Sequence, residues 1–291
     1  MDSIVMEARV CFVILCGFVG VLFSVIGFWR RKTGEAAFAV ARKSDTAGER
    51  DRYCRLAVMA GHRNACRMFA LARSAFFEGR QPLKPFKSHG IRMVFYGFYY
   101  PLRYGDLLDG EQRAFCRNLY RFKDGEIHGI GFFKACMEAL QAEGWSYHIM
   151  FMPCSDEGKY VRRFQRLDGY IGKRRPELTS GFHDVEIFGS RESLHKAKGG
   201  KKRILERNYR ITGDLAGKEV VIIDDVMTTG QSVADYKKEI ERCGGKVVAA
   251  IFYGMTVTVP PLLLIKAHVW GGYIMGQIGK ITESVVREAG R

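Results

Sequence analysis

A thirteen-residue segment, VVIIDDVMTTGQS from Val220 to Ser232, constrains the fold of this 291-residue chain more than any other feature. Its four leading apolar residues, Val220 to Ile223, predict a short strand that is buried on both faces, as in a parallel sheet. The small polar residues around Gly230 predict a loop, and the pattern from Ser232 to Cys243 predicts a helix. The segment therefore predicts a strand, a tight loop and a helix N-terminus in direct succession.

The loop and the two acids before it predict a ligand with two chemically different ends. Backbone N–H groups of a glycine-containing loop and of a helix N-terminus form an anion site. Thr228, Thr229 and Ser232 add hydroxyl donors to it. Asp224 and Asp225 repel a phosphate but suit neighbouring hydroxyl groups, or a magnesium ion beside them. A ribose 5-phosphate carries both kinds of group.

In this strand-loop-helix context the segment resembles the signature of type I phosphoribosyltransferases: four apolar residues, two acids, two further residues and T-T-G-x-[ST]. The resemblance implies that Asp224 and Asp225 hold the ribose hydroxyls of phosphoribosyl pyrophosphate and contact its Mg²⁺ indirectly, through the ligand. Of the two, Asp225 is the preferred carboxylate for stabilising the positive charge of the transition state. The residues implied for the 5-phosphate are Val226, Met227, Thr228, Thr229, Gly230, Gln231 and Ser232.

A second resemblance, to the ComF branch of these proteins, covers about Asn118 to Thr256. It is carried by "NLYRFKDGEIHGIGFFKACMEAL" from Asn118, "IMFMPCSDEGKYVRRFQ" from Ile149, and "RILERNY" from Arg203. Two departures are plain: the four-cysteine zinc module of ComF proteins is missing, and "FMPC" replaces the usual "VPVP". Because ComF relatives are linked to DNA uptake, this resemblance also allows a role as a DNA-processing accessory.

The ComF resemblance implies that Pro153 to Lys159 grips the pyrophosphate and its magnesium ion. A leaving pyrophosphate gains negative charge, so cations and backbone donors must surround it. The residues implied for this role are Cys154, Ser155, Lys159, Arg162 and Arg163. The alternative is that the arginines form a solvated helix face. Thr228 stands where relatives that use hypoxanthine or guanine typically place an Asp, which argues against that purine subclass.

The chain is strongly basic, with 46 Lys and Arg against 31 Asp and Glu and a formal net charge of +15. This charge favours anionic partners, namely phosphorylated small molecules, nucleic acid or acidic lipid. Part of it lies in Ser190 to Arg210, which we interpret as a hood that closes over the substrate or as a nucleic-acid-binding patch. His195 in that stretch is either an acid-base group or an exposed histidine without a role.

The apolar run Val10 to Trp29 is twenty residues long and holds no charge. As a helix it would span about 30 Å, the thickness of a hydrocarbon core. Arg30 to Lys32 follow it, so the positive-inside rule predicts a single-pass anchor with the rest of the chain in the cytoplasm. The alternative is a cleaved signal peptide, but the run is long and its basic flank lies on the wrong side.

The remaining sequence predicts the domain organisation. Residues 33–51 form a polar juxtamembrane linker, and residues 52–80 a helical hairpin that resembles one Sel-one-like, tetratricopeptide-related repeat. Residues 91–291 form an α/β domain with a type I phosphoribosyltransferase-like parallel sheet flanked by helices. Within it, Val257 to Met275 is interpreted as core strand and turn, with a membrane-surface role as the alternative.

The eight cysteines form no CxxC pair, which predicts reduced thiols and no zinc site. The sequence thus predicts a membrane-anchored phosphoribosyltransferase that transfers ribose 5-phosphate with Mg²⁺ to an unidentified acceptor. The alternatives are a non-catalytic sensor of a phosphoribosyl ligand and a ComF-like accessory at the membrane. Nucleic acid is a further candidate partner, and the resemblance also allows a homodimer.

Overall fold

The computed structural model describes residues 2–73, 76, 79–141, 146–189 and 208–289, and for residues 2–13, 281 and 284–289 the backbone alone. Its contacts divide the chain into two compact units. One comprises Met1–Glu78 together with Thr258–Arg291, and the other comprises Gly79–Val257. Residues 190–207 of the predicted hood lie outside the described residues, and with them His195 and residues 203–207 of the third ComF-like segment.

The Gly79–Val257 unit is built on a six-stranded sheet. Side by side, its strands are β1 (Phe86–Ser88), β2 (Ile91–Tyr99), β8 (Lys246–Thr256), β7 (Glu219–Met227), β3 (Tyr147–Phe151) and β4 (Leu178–Ser180). Only the β1–β2 pair of this sheet is antiparallel. The predicted α/β class with a mostly parallel sheet is therefore confirmed. In the described chain, β5 (Val185–Ile187) and β6 (Tyr209–Ile211) form a separate antiparallel pair.

Helices connect the parallel strands, as right-handed crossover connections require. They are α4 (Gly110–Lys123), α5 (Ile130–Ala139), α6 (Glu157–Arg174) and α7 (Gln231–Arg242). Short 3₁₀ turns cover Leu102–Leu107 and Phe182–Asp184. Each α-helix buries one apolar face in a core whose central strands, β7 and β8, are buried along nearly their whole length.

Two glycines that lie opposite each other in the sheet bring α4 close to it. Gly97 of β2 pairs with Gly254 of β8. A Cβ at Gly97 would lie 2.2 Å from the Phe115 ring, and one at Gly254 would lie 2.6 Å from Leu119 Cδ1. Both contacts are shorter than atoms tolerate, so α4 packs here only because these positions lack side chains. This close approach places Lys123, the last residue of α4, beside the acid pair of β7.

Strand β7 is longer than the sequence pattern predicts. The expected strand covered Val220 to Ile223, whereas β7 runs from Glu219 to Met227 and pairs with β8 as far as Met227. Both acids and Val226 are therefore part of the ladder. The connection to α7 is left with only Thr228, Thr229 and Gly230.

The second unit is entirely helical in its described part. It holds α1 (Asp2–Lys43), α2 (Ala47–Met59), α3 (Arg63–Leu71) and α8 (Leu262–Ala289). Within residues 52–80, α2 and α3 are joined through Gly61, which has a φ of 90°. The predicted linker of residues 33–51 is mostly helix, since α1 runs on to Lys43.

Two expectations for the C-terminal part of the chain are wrong. The structure forms a helix at Leu262–Ala289, where the sequence was interpreted as core strand and turn up to Met275. Ile265 and Val269, four residues apart, are buried and give this helix its packing face. Thr258–Arg291 also group with the N-terminal helices, so the sheet-bearing unit ends at Val257 and not at residue 291.

Helix α1 has the length and composition of a membrane span over Ile14–Lys43, with a mean hydropathy of 1.6 in its most apolar window. None of that window is buried. Its exposed side chains include Phe18, Phe23, Phe28 and Trp29. The apolar helix expected from Val10 to Trp29 is thus present, while its membrane topology stays a prediction.

Candidate functional site

The candidate site lies at the carboxyl ends of three neighbouring parallel strands, β3, β7 and β8. In open α/β sheets, ligands bind at this edge, outside the carboxyl ends of the strands. β7 delivers Asp224 and Asp225, and the segment after β3 delivers Pro153 to Lys159. The Met152 N–H donates to the Ile223 carbonyl at 2.9 Å, so the β3–β7 pairing continues into this segment. Two segments far apart in sequence are thereby held side by side.

Asp225 is buried between two cations. Its Oδ2 forms an ion pair with Arg163 Nη1, and Lys123 Nζ lies 3.5 Å from the same oxygen. The Arg163 and Asp225 side chains are only 13% and 10% exposed. Arg163 Nε is buried and makes no hydrogen bond within the described chain. The pair thus fixes Asp225 and leaves a guanidinium N–H donor without a partner.

Asp224 directly precedes Asp225 in the chain but lies in a different environment. It is only partly buried, and its Oδ1 accepts a hydrogen bond from the Asp225 N–H at 2.7 Å. Burial raises the pKa of Asp224 to about 7, and the negative charge of Asp225 adds to this rise. The structure therefore contains one carboxylate that is paired with cations and one that is more exposed and whose own pKa is raised.

The loop after β7 has the tight turn and the helix start that the sequence predicts. Thr228 and Thr229 are exposed, and Gly230 adopts a φ of 81° as the residue before α7. A residue with a side chain would be strained there. Gln231 and Ser232, the first residues of α7, are exposed and follow at the positive end of the helix dipole.

A histidine from the β1–β2 turn supports this loop. His89 Nε2 donates to the Thr229 carbonyl oxygen at 3.0 Å. The His89 ring also lies against Gly230, where a Cβ would come within 3.1 Å of His89 Cδ2. This hydrogen bond offsets the partial negative charge of the Thr229 carbonyl oxygen. The N–H groups of the loop then make its local potential more positive, which favours an anion.

Asn208 holds the segment after β3 through hydrogen bonds to its backbone. Asn208 Nδ2 donates to the carbonyls of Cys154 and Ser155 at 3.2 and 3.0 Å, and the residue is buried. Asp156 caps α6 by accepting from the Lys159 N–H at 2.9 Å. These bonds fix the backbone of the segment that was predicted to hold pyrophosphate.

The predicted side chains of this segment divide into two groups. Cys154 is buried, and burial raises the pKa of its thiol to about 12, so it is a packing residue with an unreactive sulfur. Lys159 and Arg162 are exposed on α6. Lys159 Nζ lies 2.6 Å from Asp156 Oδ2 and donates to Ser155 Oγ at 2.9 Å. Arg163, one residue further, points inward to Asp225, so the three cations do not share one solvated face.

Three residues of this site were not among the predicted site residues. Lys123 belongs to the "FKDG" stretch that carries the ComF resemblance, so a signal for it existed. Asn208 lies in the "RILERNY" stretch and has the same kind of signal. His89 lies in a turn 140 residues from its partner, and no local pattern connects the two.

The described residues contain no cluster of three or more His, Cys, Asp or Glu side chains that could hold a metal by themselves. Asp224 and Asp225 are two carboxylates at one edge, and one of them is already neutralised by cations. This donor set fits Mg²⁺ only when ligand phosphates supply further oxygens, which is the ion's common binding mode.

Comparison with known proteins locates a family match in this unit. Residues 175–255 match the family model of the phosphoribosyl transferase domain. The matched region includes β7, both acids, the loop and β8, and it excludes the segment after β3. The expected relation to phosphoribosyltransferases is thus supported at this level, whereas the ComF-like branch and the Sel-one-like hairpin remain resemblances.

Curated relatives match shorter stretches. An orotate phosphoribosyltransferase of Methanopyrus kandleri is 41% identical over 51 residues, 18% of this chain and 28% of that protein. The transcriptional regulator GfcR 1 of Methanosarcina barkeri is 33% identical over 63 residues, 22% of this chain and 29% of that protein. The chain thus spans less than a third of the length of these relatives.

A solved structure, the purine phosphoribosyltransferase from Pyrococcus horikoshii, aligns with 44% of this chain and 82% of its own. The identity is 21% and the TM-score 0.26. At these values the likeness carries no conclusion about function.

Proposed function

We propose that this chain is a membrane-anchored protein of the phosphoribosyltransferase type that binds phosphoribosyl pyrophosphate with Mg²⁺ and transfers ribose 5-phosphate to an acceptor. The observation that carries the proposal is the position of an acid pair and an anion-binding loop on consecutive residues at the carboxyl end of β7. The family match over residues 175–255 supports it, because it covers both features.

The proposed ligand is divided among three parts of the site. Thr228 to Ser232 bind the 5-phosphate through loop N–H groups, hydroxyls and the α7 N-terminus. Asp224, the more exposed acid, accepts hydrogen bonds from the ribose hydroxyls. The backbone of Cys154 to Lys159 and the Arg162 side chain face the pyrophosphate. The acid pair would hold Mg²⁺ indirectly, through the ligand, and the ion would supply positive charge that offsets part of the charge on the phosphates.

In the proposed reaction the bond between ribose C1 and the pyrophosphate oxygen breaks with both electrons leaving on oxygen. The acceptor then forms its bond to C1 and releases its proton to solvent or base. Carboxylates near the ring stabilise the positive charge that develops there, and cations around the pyrophosphate stabilise its negative charge. Asp225 acts through Arg163, whose guanidinium it holds in place beside the acid pair.

A sensor that binds the same ligand without turnover is the second candidate. It is supported by the buried Arg163–Asp225 pair, which withholds one acid from the ligand, and by the match to a protein named as a transcriptional regulator. Both candidates require the same binding site and differ only in whether pyrophosphate is released.

Calorimetry with phosphoribosyl pyrophosphate and Mg²⁺, followed by a pyrophosphate-release assay across purine and pyrimidine bases, separates the two. Saturable binding with release identifies a transferase, and binding without release on any base identifies a sensor. The Asp224→Asn, Asp225→Asn double variant should lose binding, while Glu138→Gln, an exposed acid on α5, should keep it. Equal binding by the double variant and the wild type would remove the site assignment.

Membrane anchoring through α1, with the rest of the chain in the cytoplasm, is a separate part of the proposal. It is supported by the unburied apolar window of Ile14–Lys43 and by the basic residues that follow Trp29. Retention of the full chain in membranes after an alkaline wash, and protease access to the sheet unit from the cytoplasmic side only, would test it.

A further inference from the structure

A basic cavity lies within the helical unit, at the end of the apolar part of α1. It has a volume of about 400 Å³ and is formed by α1, the α2–α3 turn and α8. Its charged lining residues are Arg30, Arg31, Glu35 and Lys266. The position matters because Arg30 directly follows Trp29, where the uncharged run of α1 ends.

Two cations of this cavity converge on one point. A Cβ placed on Gly61 would lie 3.7 Å from Arg30 Nη2 and 3.9 Å from Lys266 Nζ. Two like charges that border the same small space repel each other, and an anion between them relieves this repulsion. Among the described ion pairs, none joins Arg30 or Lys266 to a carboxylate, and Glu35 is 3.7 Å from Lys32 instead.

The Arg30 guanidinium is held in position by backbone groups. Its Nε donates to the Ala60 carbonyl and its Nη2 to the Met59 carbonyl, each at 3.2 Å. These are carbonyls at the C-terminal end of α2. A guanidinium has five N–H donors, so others are left to bind an anion at the same time. Gly61, with its φ of 90°, has no side chain to occupy the space between Arg30 and Lys266.

An apolar groove adjoins the basic cavity and shares Arg30 and Ala60 with it. Its volume is about 540 Å³. The apolar side chains along it are Val25, Ile26, Trp29, Leu56, Met59 and Trp270. Both tryptophans are exposed, and tryptophan is enriched at the level of lipid headgroups. The helical unit therefore presents an anion site and an apolar groove next to each other.

We propose that the helical unit binds one anionic glycerophospholipid, with its phosphate between Arg30 and Lys266 and an acyl chain along the groove lined by Trp29 and Trp270. The inference rests on the membrane anchoring proposed above, because only then does the cavity meet the lipid headgroups. Charge complementarity selects an anionic lipid, and the adjoining groove selects a lipid over a free phosphate. A bound lipid would fix α8 against α1 and α2 at the membrane surface.

Native mass spectrometry of the full chain, extracted in mild detergent and given phosphatidylglycerol or phosphatidylcholine, tests the proposal. The wild type should retain phosphatidylglycerol preferentially. Each basic group near an anionic lipid contributes about a factor of five, so Lys266→Gln should weaken retention about fivefold, and Arg30→Gln with Lys266→Gln about thirtyfold. Lys266→Gln leaves the Arg30 bonds to α2 intact, which guards against a folding defect.

The matched control is Arg42→Gln with Lys43→Gln, two basic residues in the last turn of α1 that do not line the cavity. This variant should retain phosphatidylglycerol as the wild type does. Equal loss in the control and in the cavity variant would overturn the proposal. So would displacement of the lipid by millimolar inorganic phosphate, because the site would then bind a soluble anion.

A chain that an alkaline wash releases from membranes would remove the anchoring proposal and the lipid site with it. A retained chain that does not distinguish the two headgroups would remove the lipid site alone. Neither result bears on phosphoribosyl pyrophosphate binding, which is measured on the other unit.

Discussion

Replacing Asp225 with Asn should destabilise the sheet unit by an amount that the surroundings of Arg163 allow us to estimate. The substitution keeps the size of the side chain and removes its charge. Arg163 then remains buried with its charge unpaired and its Nε still without a hydrogen-bond partner. Removing one partner of a buried ion pair typically costs about 3–5 kcal/mol.

The lower end of that range is expected here. Arg163 still has the negative charges of Asp224 and Asp124 nearby, and the Asn amide oxygen can accept a hydrogen bond. We therefore expect a loss of about 3 kcal/mol, which corresponds to a fall in the melting temperature of roughly 6–12 °C for a unit of this size. Adding Arg163→Met should restore much of the stability, because the unpaired charge is then gone.

Thermal unfolding of the full chain followed by circular dichroism measures these effects, and calorimetry with phosphoribosyl pyrophosphate is run on the same samples. Glu186→Gln, which breaks an ion pair with exposed Arg210, should change the melting temperature little. The double variant should regain much of the lost stability, whatever its affinity for the ligand. An Asp225→Asn protein as stable as the wild type would refute the assigned role of the pair.

Three further predictions concern the same edge of the sheet. Asn208→Asp removes the N–H donors that hold the segment after β3, so calorimetric affinity for pyrophosphate should fall at least tenfold, with a loss of about 1–3 kcal/mol in urea unfolding. The pKa of Asp224 is raised to about 7 in the folded protein, so folding takes up a proton. The free energy of unfolding should therefore fall as the pH rises from about 4 to 7. Asp224→Asn should abolish this slope, which urea titrations at several pH values measure. Gly230→Ala should strain the loop and press on His89, so it should weaken binding in a titration with ribose 5-phosphate. The control Gly105→Ala, at an open position, should leave this binding unchanged.

The local sequence pattern was sufficient to predict those helices and strands that bury one apolar face. The helix expected from Ser232 to Cys243 matches α7 (Gln231–Arg242) within a residue at each end, because its apolar spacing is a local signal. α8 was missed because Pro260 and Pro261 directly before it, together with Lys266 and His268 within it, suggested an interrupted core segment. Its helix is supported by packing against α2 and α3, which no local pattern records.

The site was predictable where one segment carries several groups and unpredictable where groups meet across the fold. The acid pair and the loop lie close together in sequence, so the covalent chain alone keeps them close in space. The pairing of Asp225 with Arg163 and Lys123 depends on how α6 and α4 pack on the sheet. The strand length was underestimated for the same reason: parallel pairing with β8 keeps the acids in the ladder although their side chains are polar.

The pairing of Asp225 with Arg163 bears on the choice between transferase and sensor. If both acids must contact the ribose for turnover, Arg163 has to leave Asp225 when the ligand binds, and the cost of separating a buried pair reduces affinity. If Asp224 alone contacts the ribose, the pair stays closed and binding requires no rearrangement. The Arg163→Met, Asp225→Asn variant separates these cases. Unchanged binding by this variant would show that Asp224 is sufficient, whereas lost binding at restored stability would show that the charged pair itself takes part in holding the ligand.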